Sequence, residues 1–166
     1  MTVADLIARH LSDAGVSMLF GVPGGGSNLD IIEAAQRVGI RFVLTATETA
    51  GAIAAIAQAE LTGRPGACLA GLGPGAASIV NGVACAFLDR APLVVLADAH
   101  PASAAASEHQ RIDQHALFAP VTKWTAALTS ENVVATLAEA IQRAMAAPCG
   151  PVYLELPSDV AAARVP

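Results

Sequence analysis

The sequence predicts an α/β protein: a three-layer, doubly wound sheet of about six parallel strands with helices on both faces, in one domain spanning residues 1–166. Three observations carry this. Short runs of Val, Ile, Leu and Ala alternate with longer Ala-rich stretches of helical periodicity, the order that builds βαβ units. Gly/Pro clusters sit at the joints, at 21–26, 63–66 and 71–75. The run from Leu93 to Ala97 is apolar at every position, as in a parallel strand buried on both faces.

The elements follow in order. Thr2 is placed to cap the first helix, and Asp5 stands at the positive end of its dipole. Leu6, Ile7, Leu11 and Ala14 make its apolar face, and Gly15 ends it. Val16 to Phe20 is the first strand, and Gly21-Val22-Pro23-Gly24-Gly25-Gly26 is the loop after it. Ser27 or Asn28 caps the second helix, with Leu29, Ile31, Ile32 and Ala35 inward. Arg41 to Thr45 is a strand, and Thr47 to Leu61 a long helix closed by Gly63-Arg64-Pro65-Gly66. Ala67 to Ala70 is the third strand. A glycine elbow, Gly71-Leu72-Gly73-Pro74-Gly75, opens the helix Ala76 to Leu88. After the strand Leu93 to Ala97, the segment Asp98 to Gln114 lacks periodicity and predicts a long loop, a feature that is usually functional in a compact domain. Val121 to Ala126 is the fifth strand. A helix capped by Ser130 runs to Ala146 with Val133, Leu137, Ala140, Ile141 and Met145 inward, and Val152 to Leu156 is the last strand. The tail from Ala161 to Pro166 has the character of a connecting stub.

Composition narrows the function classes. The nine Lys and Arg are scattered and the net charge is −5, which excludes a phosphate-backbone binder with a basic face. Hydrophobic residues make up 54% against 14% charged, as expected of tight layer packing or of a surface covered by a partner. Cys68, Cys85 and Cys149 are odd in number and widely spaced, so they are expected to be small hydrophobes rather than a disulfide framework or a metal site. The N-terminus lacks a signal-peptide layout, and no apolar run reaches the roughly 18 residues of a membrane span. A cytoplasmic protein that does not engage membranes is expected.

The residues that suggest chemistry are Glu48 and the elbow. Glu48 sits early in a helix, between Val43-Leu44 and Ile53-Ala54-Ala55-Ile56. As a helix-end carboxylate it gains under about 1 kcal/mol from the dipole. In that apolar company it is also expected to be partly desolvated, which would suit it to proton exchange. The elbow fits a loose G-x-G-x-x-G/A dinucleotide fingerprint, with Asp98 as the acidic residue after the next strand. Against that, the match falls in the third βα unit, and Pro74 removes a backbone donor. A stiff Pro-containing wall suits a flat ring better than a pyrophosphate. His100, His109 and His115 crowd the long loop at irregular spacing, without the convergence a metal site needs. They are expected to be solvated, or one of them a substrate-side acid or base. Lys123 is expected in a structural ion pair.

The order and spacing of several segments give the sequence a family resemblance. Phe20-Gly21-Val22-Pro23-Gly24-Gly25, Glu48, Gly63-Arg64-Pro65-Gly66, Gly73-Pro74-Gly75-Ala76, Asp89-Arg90-Ala91-Pro92-Leu93, Val121-Thr122-Lys123-Trp124 and Gly150-Pro151-Val152-Tyr153-Leu154-Glu155-Leu156-Pro157 stand in sequence along the chain. Together they resemble the N-terminal, pyrimidine-binding domain of thiamine-diphosphate enzymes of the acetolactate synthase, pyruvate oxidase and benzoylformate decarboxylase type. The resemblance implies half of a 2-keto acid decarboxylase or carboligase. Glu48 would hydrogen-bond N1′ of the cofactor's aminopyrimidine and favour the tautomer that takes the proton from the thiazolium. Pro23, Gly24, Gly73, Pro74 and Ser78 would line the pyrimidine, and Gln110 would stand on the substrate side. No Gly-Asp-Gly segment occurs. The resemblance therefore implies that the diphosphate and its Mg²⁺ are held by a second domain or subunit, in a homodimer or higher assembly, and that this chain is a fragment or a split subunit. Several positions depart from the family pattern: Thr47 for His, Gln58 and Glu60 for Tyr and Arg, Ser78 for Asn, Asp98-Ala99 for Gly-Gln, and His109-Gln110-Arg111 for Phe-Gln-Glu. A non-catalytic relative serving as an assembly or regulatory partner, and a dinucleotide-binding domain, stay open as alternatives.

Overall fold

The computed structural model describes residues 1–165. It contains one six-stranded parallel sheet of order β2-β1-β3-β4-β6-β5. The strands are β1 (Met18–Gly21), β2 (Arg41–Leu44), β3 (Gly66–Ala70), β4 (Leu93–Ala99), β5 (Trp124–Ala127) and β6 (Pro151–Pro157). The helices are α1 (Val3–Asp13), α2 (Ser27–Arg37), α3 (Glu48–Thr62), α4 (Pro74–Asp89), α5 (Gln114–Phe118), α6 (Val133–Met145) and α7 (Ser158–Ala161), with a 3₁₀ turn at Ala119–Val121. None of the described helices is long and apolar enough to cross a membrane.

Period-2 alternation divides the core into two layers. Ala67 and Leu69 of β3, Val94 and Leu96 of β4, and Val152 and Leu154 of β6 pack with Ile7, Leu11, Ile31 and Leu137 of α1, α2 and α6. Cys68, Ala70, Leu93, Val95 and Tyr153 face the other way, onto Ala52, Ile56, Ile79, Val83 and Phe118 of α3, α4 and α5. The central strands are apolar on both sides for this reason. Cys68 is fully buried there and its thiol is pushed up by burial, the small-hydrophobe role its sequence context predicts. Close helix–sheet contact depends on small residues: a Cβ on Gly66 would lie 2.2 Å from the Ala55 carbonyl oxygen of α3.

Several local expectations are corrected. Leu29 is 54% exposed, and Asn28 is buried in its place. Neither Ser27 nor Asn28 caps α2; Gly26 holds the cap position without a side-chain bond. β4 runs on through Asp98 to Ala99, so Asp98 is a strand residue and not the start of a loop. The fifth strand begins at Trp124, because residues 119–121 form the 3₁₀ turn. α6 starts after Asn132, which exchanges hydrogen bonds with Thr129, and not after Ser130. Met145, expected inward, is exposed. Lys123 makes no ion pair among the described residues; its ammonium donates to the Arg143 and Ala146 carbonyls at the C-terminal end of α6, where the dipole favours a cation. The segment read as a stub packs back on the N-terminus, with Thr2 bridged to Arg164 and the Val3 amide donating to the Ala163 oxygen.

The first helix is capped as expected. The Asp5 amide donates to Thr2 Oγ1 at 3.1 Å and the Thr2 amide to Asp5 Oδ2 at 2.9 Å, a reciprocal capping box. Arg37 of α2 pairs with Asp5 Oδ1 at 2.7 Å. The Thr2 amide, and then Arg37, hold the Asp5 carboxyl down at about 2 from 3.8. A depressed folded-state value stabilises the fold above the unfolded value and is lost as pH falls through the folded one. Asp5→Asn is therefore expected to lower stability at pH 7, by about 1 kcal/mol after solvent screening. In urea unfolding, the gap between wild type and variant should shrink as pH drops through 3.8 towards 2 and vanish below that. A gap that persists undiminished at the acid end would contradict it.

Candidate functional site

The site lies where the strand order reverses. β1 sits between β2 and β3, so the chain leaves β1 to one side and later returns to the other. The loops after β1 and β3 open side by side at the carboxyl edge, the place where such sheets bind ligands. Glycines let them touch. A Cβ on Gly71 would lie 3.5 Å from Gly24 Cα, and one on Gly24 would lie 2.3 Å from Asp98 Oδ2.

Glu48 is the first residue of α3. Thr47 caps the helix, its Oγ1 accepting from the Ala50 amide at 3.1 Å. The half-buried Glu48 side chain reaches across to the elbow: its Oε1 lies 3.4 Å from where a Cβ on Gly75 would stand. Among the described residues its carboxylate has no hydrogen-bond or ion-pair partner. α3 and α4 are clamped together beside it. A Cβ on Gly82 would lie 2.5 Å from the Ala52 methyl, and Thr49 Oγ1 donates to the Ser78 carbonyl at 2.5 Å.

The elbow has a backbone only glycine can take. Gly73 adopts φ +54°, ψ −100°, and a Cβ there would meet the Gln110 carbonyl oxygen at 2.1 Å. Gln110 itself stands at φ +63°, a left-handed conformation uncommon for a residue with a side chain. Pro74 begins α4 without an N–H. The Gly73 amide donates to Gln114 Oε1 at 2.9 Å, and the Gly75 amide to the Leu72 oxygen at 3.2 Å. Two of the elbow's amides, Gly73 and Gly75, are thus already committed and Pro74 has none, which weighs against the pyrophosphate cradle of a dinucleotide-binding turn.

Glu48, Gly73, Gly24 and Gln110 are therefore brought to one edge, with Pro74 on the exposed face of the elbow. Ser78 lies one turn further along α4 and is exposed, and Pro23 is half-buried in the first loop. Two residues of the site carry more than their sequence positions suggest. Asp98, 5% exposed, takes the place of a cap for α2: its Oδ1 accepts from the Asn28 amide at 2.9 Å and from Ser27 Oγ at 2.5 Å. Burial pushes its carboxyl up, while the bonds from Ser27 and Asn28 pull it down. Asn28 Nδ2 in turn donates to the Ala70 carbonyl at 2.8 Å, tying α2 to the end of β3. The second is Gln114. Its Oε1 holds Gly73, and its Nε2 donates to the Asp98 carbonyl at 3.1 Å and to Glu155 Oε1 at 3.2 Å. Glu155 Oε2 faces His115 Nε2 at 3.2 Å. Beneath them Tyr153 stacks on Phe118 at 3.9 Å, its phenol pushed up by burial and by the Glu155 charge. The apolar run before Asp98 was a usable signal for its burial. Nothing in the aperiodic stretch around Gln114 marks that residue.

A family model, the thiamine pyrophosphate enzyme N-terminal TPP-binding domain, matches residues 1–117, a span that takes in both loops, Glu48, Gln110 and Gln114. The chain belongs to this family. Its relatives agree. It is 34% identical over 162 residues to a probable acetolactate synthase large subunit of Methanocaldococcus jannaschii, covering 96% of this chain and 27% of that protein. It is 35% identical over 167 residues to an acetolactate synthase of Arthrospira platensis, covering 97% and 28%. It is 32% identical over 170 residues to a probable 2-ketoarginine decarboxylase of Pseudomonas aeruginosa, covering 99% and 30%. The chain is thus a TPP-binding domain similar to the N-terminal part of acetolactate synthases, and spans less than a third of the length of these relatives. Membership of the TPP-enzyme family implies thiamine diphosphate as cofactor and a further domain to complete the site. The residues present fit the pyrimidine end of that cofactor: an unpartnered carboxylate faces a glycine cradle that a side chain on Gly75 would begin to fill.

Proposed function

We propose that this chain is the pyrimidine-binding half of a thiamine-diphosphate-dependent 2-keto acid decarboxylase or carboligase. The observation that carries the reading is the free carboxylate of Glu48, held across the elbow from Gly75. Glu48 hydrogen-bonds N1′ of the aminopyrimidine and controls the proton at that atom. Pro23, Gly24, Gly73, Pro74 and Ser78 wall the ring, and Gln110 stands on the substrate side. The cofactor, when bound, supplies the electron sink for loss of CO₂ from a 2-keto acid. This chain's part is orientation and proton control. The diphosphate and Mg²⁺ belong to the second domain or subunit. That partner docks on the outer face of α3 and α4, where Ile53 (44% exposed), Leu61 (87%) and Leu88 (78%) present apolar surface. The assembly is a homodimer or higher oligomer with two-fold pairing.

The test is calorimetric titration of thiamine diphosphate with Mg²⁺ into the chain alone and into the chain combined with its diphosphate-binding domain. Binding in the combination and not in the chain alone is the expected result. A stable complex that takes up no cofactor would overturn the proposal and leave an assembly or regulatory partner.

A further inference from the structure

One side-chain amide is bonded to three elements around the site. Gln114 begins α5 and is only 4% exposed. Its Oε1 accepts from the Gly73 amide of the elbow at 2.9 Å. Its Nε2 donates to the Asp98 carbonyl near the end of β4 at 3.1 Å and to Glu155 Oε1 of β6 at 3.2 Å. Asp98 in turn holds the start of α2, just after the first glycine loop. The elbow after β3 and the loop after β1 are thus linked through one residue. A cavity of about 330 Å³ opens between them, lined by Gly24, Leu72 and Asp98 among others.

The amide fits in one orientation only. Turned over, its NH₂ would face the Gly73 N–H, and its oxygen would face the Asp98 carbonyl and the Glu155 carboxylate. Glu155 is held from its far side, with Oε2 3.2 Å from His115 Nε2. The backbone under Gln114 is anchored as well. Asp113 caps α5 by accepting from the Ala116 amide at 2.9 Å, and the buried Phe118 stacks on Tyr153 at 3.9 Å. Gly73 has the opposite character. A glycine leaves its conformation more readily than any other residue, so a bond from a rigid neighbour matters most there. Two residues further on is Gly75, where a Cβ would stand 3.4 Å from Glu48 Oε1. Movement of Gly73 would therefore change the gap between Glu48 and the elbow.

We infer that Gln114 is a positioning residue for the cofactor: by fixing Gly73 it sets the gap in which Glu48 and the elbow take the aminopyrimidine. It acts through the elbow and not by contact with the ring. The inference rests on the reading of the chain as the pyrimidine-binding half of a thiamine-diphosphate enzyme.

The test exchanges the polarity of the Gln114–Glu155 contact in the protein assembled with its diphosphate-binding domain. Gln114→Glu keeps the size of the side chain and an acceptor for Gly73, but sets an oxygen against the Asp98 and Glu155 oxygens. Thiamine diphosphate titrated with Mg²⁺ is expected to bind this variant about tenfold more weakly than wild type. Adding Glu155→Gln supplies an NH₂ to the new carboxylate and leaves an oxygen for His115, so most of the lost affinity should return. The Asp98 carbonyl stays without its donor, which keeps the return partial. In the absence of cofactor, hydrogen exchange in the peptide 71–77 should be faster in Gln114→Glu than in wild type and slow again in the double variant. Leu137→Ala, in the opposite core layer, is the control: it should lower the thermal midpoint and leave the affinity unchanged.

Unchanged affinity in Gln114→Glu overturns the inference, whatever the exchange shows. So does a loss that Glu155→Gln fails to return, or one that Leu137→Ala reproduces, because general destabilisation would then account for it. Should Gln114→Glu not assemble, Gln114→Met, uncharged and of similar length, is read in its place. Weaker binding and faster exchange are expected of it, and no change in either overturns the inference. A wild-type assembly that binds the cofactor beside a Gln114 variant that binds it equally removes this inference alone. A wild-type assembly that binds none removes the functional reading and this inference together.

Discussion

Glu48→Gln is expected to lower the rate of CO₂ release by the assembled enzyme on the order of 100- to 10,000-fold, the range for loss of a positioned acid or base. Glutamine preserves the size and the hydrogen-bonding reach of the side chain, but it cannot carry the charge or exchange the proton. The change should leave the fold almost untouched. The carboxylate has no partner among the described residues, so its loss orphans nothing, and the helix-dipole contribution at the start of α3 is under about 1 kcal/mol. The two readouts therefore separate: kcat collapses while the thermal midpoint moves little. A variant within a few-fold of wild-type activity would reduce Glu48 to a helix-end carboxylate. A large fall in thermal stability would show a structural role that the observed contacts do not contain.

Gly73→Ala is expected to be the most damaging small substitution in the site, costing about 2–4 kcal/mol of stability. Two effects add. The backbone at φ +54°, ψ −100° is closed to a side chain, and the new methyl would stand 2.1 Å from the Gln110 carbonyl oxygen. Gln110 is already left-handed at φ +63° and has little freedom to retreat. Because Gly73 also donates to Gln114, displacement of the elbow should propagate to the Glu155–His115 pair and weaken cofactor binding in the assembled enzyme. Gly63→Ala is the control. That residue is left-handed at φ +66° but meets nothing within 4 Å, so only the backbone cost of about 1 kcal/mol applies. Paired urea titrations should show the larger loss at Gly73, and equal losses would mean that the contact with Gln110 is easily relieved.

The two substitutions probe features that were legible in the sequence. Glu48 and the elbow stood out in the sequence because their chemistry is local: a carboxylate opening an apolar helix, and a Gly-Pro-Gly turn between a strand and a helix. The capping box of Thr2 and Asp5 is local in the same sense, since its two bonds span three residues. α2 resisted the same treatment. Helical periodicity put Leu29 inward and made Ser27 or Asn28 a cap, yet the Ser27 hydroxyl and the Asn28 amide turn to Asp98, 71 and 70 residues away, the Asn28 side chain reaches Ala70, and Leu29 is left facing solvent. A cap supplied from another strand leaves no trace in the helix's own sequence. Gln114 escaped for a related reason. The segment before it has no period, and two of its three partners, Gly73 and Glu155, each stand 41 residues away.

By itself the sequence determined the class of fold, the number and direction of the strands, and the edge at which the site would open. Hydrophobic alternation and the conformational limits of Gly and Pro act between near neighbours, and these suffice to specify βαβ units. Only the tertiary structure decided what surrounds the site: the Asp98 carboxylate under the first glycine loop, Gln114 under the elbow, and the cavity between them. Those contacts depend on strand register and on helix packing, which set β4 beside β6 and carry Asp98 opposite Leu156. Burial favours a partner for most polar groups there, and the partner is whichever distant residue the completed sheet places within reach.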